Sequence, residues 1–172
     1  SYELLGEVNG AEILRKVEKV GRVCYKSENK ISEWTAPHFV TKLIENGHEA
    51  MLEHAGFSIK FIVDRGVSHE LVRHRIASFA QESTRYVDYG NEGLVVVRPS
   101  AEWAQNENIH LDAWYDTMLA AETAYMSMRK EGCTKCSPQE ARAVLPNSLK
   151  TEIVITANLR EWRHIFKLRT AA

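Results

Sequence analysis

The residues best able to do chemistry crowd into one stretch. Arg73-His74-Arg75 is followed closely by Arg85, with Ser78, Gln81, Glu82, Ser83 and Thr84 between them. Arginine presents a planar fork of donors that matches phosphate oxygens and pyrimidine carbonyls. Hydroxyls and backbone N–H groups complete an anion site. A phosphorylated aromatic ligand suits such a mixture. A solvated loop with surface ion pairs accounts for the same composition, because charged clusters usually face water.

A second basic cluster lies near the end of the chain: Arg160, Arg163, His164, Lys167 and Arg169. On a helix, Arg160, His164 and Lys167 share one face. Asn158 stands where it can cap that helix or hold a ligand amide. Arg142 is a third, isolated basic candidate. The cysteines Cys24, Cys133 and Cys136 lie outside these arginine-rich segments. Cys24 falls on an apolar helical stripe and reads as core. Cys133 and Cys136 form a lone CxxC, and zinc would need a second pair of ligands; no metal site is expected. Ser83 has no evident base beside it in sequence, so a binding role is preferred to a nucleophilic one.

Composition narrows the classes. Of 172 residues, 44% are hydrophobic and 26% charged, the mix of a folded domain rather than a disordered chain. Lys and Arg number 22 against 23 Asp and Glu, giving a net charge of −1. That balance argues against a strongly basic nucleic-acid binder. No apolar run is long enough to span a bilayer, and the first residues lack a basic, apolar leader. An odd cysteine count fits no disulfide scaffold. A single domain over residues 1–172 in the cytoplasm is expected, without nucleic-acid or membrane partners.

Hydrophobic periodicity supplies the elements that must position these groups. Ile13, Leu14, Val17, Val20 and Cys24 mark a helix over Ala11–Tyr25, and a polar loop follows over Lys26–Ser32. A second helix starts near Thr35 and stops at Gly47. Phe57, Ile59, Phe61 and Val63 alternate as a strand. Asp64-Arg65-Gly66 reads as a turn, with a helix following through Leu71 and Val72. Leu94–Val97 is a candidate for a short, fully buried strand. The longest helical signal runs over Ile109–Lys130 and ends at Gly132, with Leu111, Trp114, Met118, Ala121, Tyr125 and Met128 on one stripe. Ser137-Pro138-Gln139-Glu140 reads as an N-cap and first turn. Ile153–Ile155 is a strand, and a last helix carries Leu159, Trp162, Ile165, Phe166 and Leu168. The mixture lacks a regular βαβ alternation, so the expected class is α+β with a mixed, largely antiparallel sheet.

Arg73-His74-Arg75, seven residues, Ser83, one residue, then Arg85-Tyr86 resembles the signature of flavin-dependent thymidylate synthases. Gly47-His48-Glu49 with Glu53-His54, Ala141-Arg142-Ala143-Val144-Leu145-Pro146, and Asn158-Leu159-Arg160 with Leu168-Arg169 resemble further segments of that family, in order. The resemblance runs from about Val23 to Arg169. It implies conversion of dUMP to dTMP, with a methylene from 5,10-methylenetetrahydrofolate and a hydride passed from NADPH through FAD. It also implies a homotetramer with active sites at subunit interfaces, and a mechanism without a cysteine nucleophile.

By the same resemblance, dUMP meets Glu70, Arg73, Gln81, Glu82, Ser83, Thr84, Arg85, Arg142 and Arg169. FAD meets His48, Glu53, Arg73, His74, Arg75, Gln81, Asn158, Arg160 and His164. Arg169 matches the arginine that favours ionisation of uracil N3, where a fixed cation lowers the cost of the ring anion. Glu70 stands where the family has a glutamine; beside a phosphorylated ligand it would pair with a cation such as Arg73 or accept from a ribose hydroxyl. Family members continue well past Arg169, so a shortened chain or a further tail is expected. His54 reads as a packed core histidine, and His38, His69 and His110 as structural or surface groups. The same arginines also suit a non-catalytic nucleotide- or nucleic-acid-binding protein, and Glu70 suits a flavoprotein that has lost methyl transfer. Trp34, Trp103, Trp114 and Trp162 read as core or subunit contacts rather than folate platforms.

Overall fold

The computed structural model describes residues 1–99, 108–130 and 135–170. The element order is β1 (Tyr2–Leu5), α1 (Gly10–Cys24), α2 (Thr35–Glu45), β2 (Gly56–Asp64), α3 (Arg65–Leu71), β3 (Ala77–Gln81), α4 (Asn108–Arg129), α5 (Pro138–Ala141), β4 (Lys150–Asn158) and α6 (Leu159–Arg169). Short 3₁₀ turns occur at Glu28–Lys30, Glu49–His54 and Arg142–Val144. The strands form one antiparallel sheet in the order β1-β2-β4-β3, and the class is α+β as expected. Register follows from paired atoms. Ser1 and Ile62 exchange backbone hydrogen bonds of 3.1 and 3.0 Å. Ser58 Oγ and Thr156 Oγ1 meet at 2.7 Å across β2 and β4.

The chain divides into two compact units. One holds Ser1, Phe61–Arg73 and Ala80–Ile153; the other holds Tyr2–Lys60, His74–Phe79 and Val154 onward. In the latter, Val17, Val40, Leu43, Leu52 and Ala55 form a buried core, with Ile13, Leu14, Phe39, Met51 and Leu159 packed on it. Gly21 admits this packing because a Cβ there would lie 2.7 Å from Phe39 Cε1. α2 ends in a Schellman motif: Gly47 takes φ +71°, its N–H donates to Ile44 O at 3.0 Å, and His48 N–H donates to Leu43 O at 2.8 Å. In the other unit, α4 turns Leu111 and Tyr125 inward. Trp114, Met118, Ala121 and Met128 lie half-buried along the same stripe, as its spacing predicts.

Several expectations need correcting. Asp64-Arg65-Gly66 is no turn: Asp64 caps α3, accepting Val67 N–H at 2.7 Å, so the strand runs directly into the helix. The same short carboxylate serves turns and caps alike. Leu94–Val97 is no buried strand; only Val96 bridges to Leu149, and Val95 is 62% exposed. Cys24 is exposed at the end of α1, with Sγ 3.9 Å from Met51 Sδ. His54 is exposed because the 3₁₀ turn buries Leu52 instead. On α6, Trp162 and Ile165 are buried while Phe166 and Leu168 are exposed. Trp34 is 81% exposed, which removes the core half of its reading and leaves the subunit contact. Trp103, Gly132 and Cys133 lie outside the described residues.

Candidate functional site

Asn158 ends β4 and caps α6, accepting Glu161 N–H at 2.9 Å. The cap satisfies a first-turn N–H of α6 and ties the helix start to the end of β4. Trp162 anchors the helix beneath: its ring stacks on Phe57 at 5.2 Å and on Phe166 at 5.7 Å, and its indole N–H donates to Phe57 O at 3.1 Å. The opposite face carries Arg160, Arg163, His164 and Lys167, spaced at helical neighbours. These residues, with Asn158, Glu161 and Phe166, Ile76 from the segment before β3, and Glu49 and Glu53 from the 3₁₀ turn, line a cavity of about 870 Å³.

The cavity is zwitterionic. Arg160 Nη1 reaches Glu53 Oε1 at 2.5 Å, and Arg163 Nη2 reaches Glu49 Oε1 at 3.3 Å. Hydrogen bonding to Glu53 raises the Arg160 pKa further above its ordinary value. Four of the residues expected at a flavin, Glu53, Asn158, Arg160 and His164, thus share one cavity. His48 does not line it. Its Nδ1 meets Tyr25 OH at 2.9 Å, beside a smaller pocket lined by Cys24, Leu43 and Met51. His74 is buried, its two ring nitrogens meeting Glu161 and Arg169. Arg75 is exposed. The donor set suits a dinucleotide cofactor: cations and an amide for phosphates, and the exposed Ile76 and Phe166 side chains for a flat ring.

The residues expected at the nucleotide lie mostly in the other unit. Beyond β3 the chain turns sharply: Ser83 O accepts Tyr86 N–H at 3.1 Å and Val87 N–H at 2.9 Å, and Ser83 Oγ accepts Arg85 N–H at 3.3 Å. Ser83 keeps its own O–H available to donate. Arg85 Nε donates to Gln139 Oε1 at 2.9 Å, which aims the guanidinium from one side. Thr84 is buried, while Arg73, Glu70 and Arg142 are exposed. Gln81 is tied inward, Nε2 donating to Ser68 Oγ at 2.7 Å and Thr151 Oγ1 at 3.4 Å.

Glu82 is anchored rather than offered to a ligand. Its N–H joins β4 at Glu152 O (2.9 Å), its carbonyl accepts Arg65 Nη1 at 3.3 Å, Oε1 accepts Tyr89 OH at 2.5 Å and Oε2 meets Lys150 Nζ at 3.4 Å. Burial, and then the hydrogen bond to Glu82, push the Tyr89 phenol well above its usual pKa. The expectation that backbone N–H groups of this loop hold a phosphate therefore narrows to Ser83 and Thr84, since those of Glu82 and Arg85 are used internally. Tyr89, Lys150, Glu161 and the cavity carboxylate Glu49 were not among the expected site residues. Lys150, Glu161 and Glu49 take their roles from pairings between segments far apart in sequence, whereas Tyr89 reaches Glu82 across only seven positions. Arg163 was visible in the basic cluster, and its helical offset from Arg160 was the signal.

The family model described as thymidylate synthase complementing protein matches residues 4–172. The chain belongs to that family. Curated relatives carry the name flavin-dependent thymidylate synthase. The protein of Geobacter sulfurreducens is 36% identical, covering 89% of this chain and 67% of its own length. That of Corynebacterium efficiens is 35% identical over 96% of this chain and 70% of its own. That of Mycobacterium sp. (strain JLS) is 38% identical over 90% and 67%. The segments matched by this thymidylate synthase complementing family span both the α6 cavity and the Ser83 turn. Among the described residues, no helix is long and apolar enough to cross a membrane.

Proposed function

We propose that this chain is a flavin-dependent thymidylate synthase. It converts dUMP to dTMP with the methylene of 5,10-methylenetetrahydrofolate. The single observation that carries the reading is the shared cavity: Glu53, Asn158, Arg160 and His164, picked out separately by motif, line one space of cofactor size. Bound FAD would supply the redox chemistry there, relaying a hydride from NADPH.

The chain's own residues bind and orient. Arg160, Arg163 and Lys167 supply charge for phosphates, and Asn158 a side-chain amide. Ser83 Oγ–H, the Thr84 backbone N–H and the Arg85 fork hold the nucleotide phosphate. Arg142, exposed at the start of its 3₁₀ turn, adds a second cation. Arg169 favours the ring anion of uracil, which makes C5 nucleophilic without a cysteine. A homotetramer is part of the reading, and the exposed Val23, Tyr25, Ile31 and Trp34 side chains are surface that a subunit contact would cover.

The test is a visible absorbance spectrum followed by turnover. A flavin spectrum that shifts on adding dUMP, with dUMP-dependent NADPH oxidation and dTMP formed once methylenetetrahydrofolate is supplied, is the expected result. Protein loaded with FAD that forms no dTMP would refute it.

A further inference from the structure

We propose that Glu161 is a positioning residue, acting through His74 to orient Arg169; the inference rests on the function proposed above. Glu161 occupies the first turn of α6, where a carboxylate ordinarily faces solvent and the positive end of the helix dipole. Here it is 7% exposed and turned inward. Its Oε1 lies 3.3 Å from His74 Nδ1, and His74 is itself 7% exposed. On the other side of the ring, Arg169 Nε lies 3.4 Å from His74 Nε2. His164 closes the ring's edge at 6.0 Å between centroids.

Hydrogen bookkeeping fixes the chemistry. The arginine Nε bears a hydrogen and no lone pair, so it can only donate. His74 Nε2 must then accept. An imidazole that accepts at Nε2 is neutral and carries its hydrogen on Nδ1, directed at Glu161. The carboxylate selects that tautomer by accepting Nδ1–H, and the ring passes the constraint to the guanidinium. Arg169 sits at the last residue of α6, two turns beyond Glu161, where a helix end frays unless it is tied. His74 engages the Nε edge and so sets the direction of the fork. The arrangement follows the logic by which a buried carboxylate fixes the tautomer of a catalytic histidine, with an arginine in place of the serine.

The test has a structural and a kinetic arm. Long-range proton–nitrogen correlation spectra of the ligand-free protein, with His74 assigned from His74→Gln, are expected to show a neutral Nδ1–H ring. A wild-type ring that is protonated on Nε2 overturns the inference without any other variant. Glu161→Ala is expected to mix the tautomers and to lower kcat by roughly ten- to hundredfold, the factor for one hydrogen bond to a charged group, with KM for dUMP little changed. Glu161→Gln, whose amide oxygen can accept the same Nδ1–H, is expected to recover most of that loss. Wild-type kcat in Glu161→Ala with a disordered tautomer would overturn the inference. Wild-type protein with the Nδ1–H ring but no dUMP turnover would overturn the proposed function instead.

Discussion

Tyr89→Phe tests whether the loop after β3 is held from below. The substitution removes one oxygen, and that oxygen donates to Glu82 Oε1 at 2.5 Å. Glu82 would keep only Lys150, 3.4 Å from Oε2, for its carboxylate. A hydrogen bond to a charged group contributes about 1.5–3 kcal/mol. Glu82 is partly buried, so water replaces the phenol incompletely, and we expect a loss of about 2 kcal/mol. For a chain of this size that lowers Tm by about 4–8 °C. Because Glu82 leads directly into Ser83 and Arg85, dUMP binding should weaken by about three- to tenfold, a cost of up to about 1.4 kcal/mol. The assays are thermal unfolding and a dUMP titration. The pH dependence has a fixed sign. The folded Tyr89 pKa lies above the unfolded value, so its contribution is complete below about pH 10 and is lost as pH rises beyond it. The Tm gap between wild type and Tyr89→Phe should be flat between about pH 6 and pH 9 and shrink above about pH 10. An unchanged Tm with unchanged dUMP affinity would show that Glu82 is not held by this contact.

Arg160→Ala should leave the melting temperature of the cofactor-free protein unchanged, because its pair with Glu53 is surface-exposed, yet weaken FAD binding by about tenfold or more. Equal FAD affinity would remove Arg160 from the cofactor site. Asn158→Asp separates capping from binding. Asp caps as well as Asn, so stability should hold while the added negative charge weakens FAD, whereas Asn158→Ala should also cost about 1 kcal/mol in chemical unfolding. Gly56→Ala should destabilise by about 1–3 kcal/mol or more, since its Cβ would sit 2.4 Å from Ala157 O. A wild-type urea midpoint for that variant would show that β2 and β4 can part locally without cost.

What the sequence revealed, and what it hid, divides along the line between local and distant interactions. α1 and α4 were readable because periodicity is a property of neighbouring residues, and Ser137 with Glu140 closes a capping box within four positions. The ends of elements were harder. Asp64 carries the same signal for a turn and for a cap, and only the sheet on one side of it decides. Leu94–Val97 has strand composition but pairs only at Val96. The basic clusters announced the site by residue type alone. Which of their members are tied inward was hidden, because that depends on partners such as Lys150 for Glu82, 68 positions away, and Glu161 for His74, 87 positions away.

The same pairings explain why net charge says so little about this molecule. Arg160 meets Glu53, Arg163 meets Glu49, Arg129 meets Asp88, and Lys150 lies between Glu82 and Glu152. In the second cluster Arg160 and Arg163 each have a carboxylate at hand, so a total of −1 coexists with an arginine-rich cavity. A polyanion gains from unpaired positive surface and loses affinity steeply with salt. A small dianionic ligand instead exchanges with a carboxylate already in place, and the gain is the difference between two ion pairs. Geometry decides that difference. Glu49 already spans Arg163 and, at 4.0 Å, Arg160, and Glu53 adds a second carboxylate to Arg160, so a pyrophosphate gains only by presenting more oxygens, to Arg160, Arg163 and Lys167 together. A cavity built this way discriminates by the spacing of charges on its ligand, which total charge cannot do.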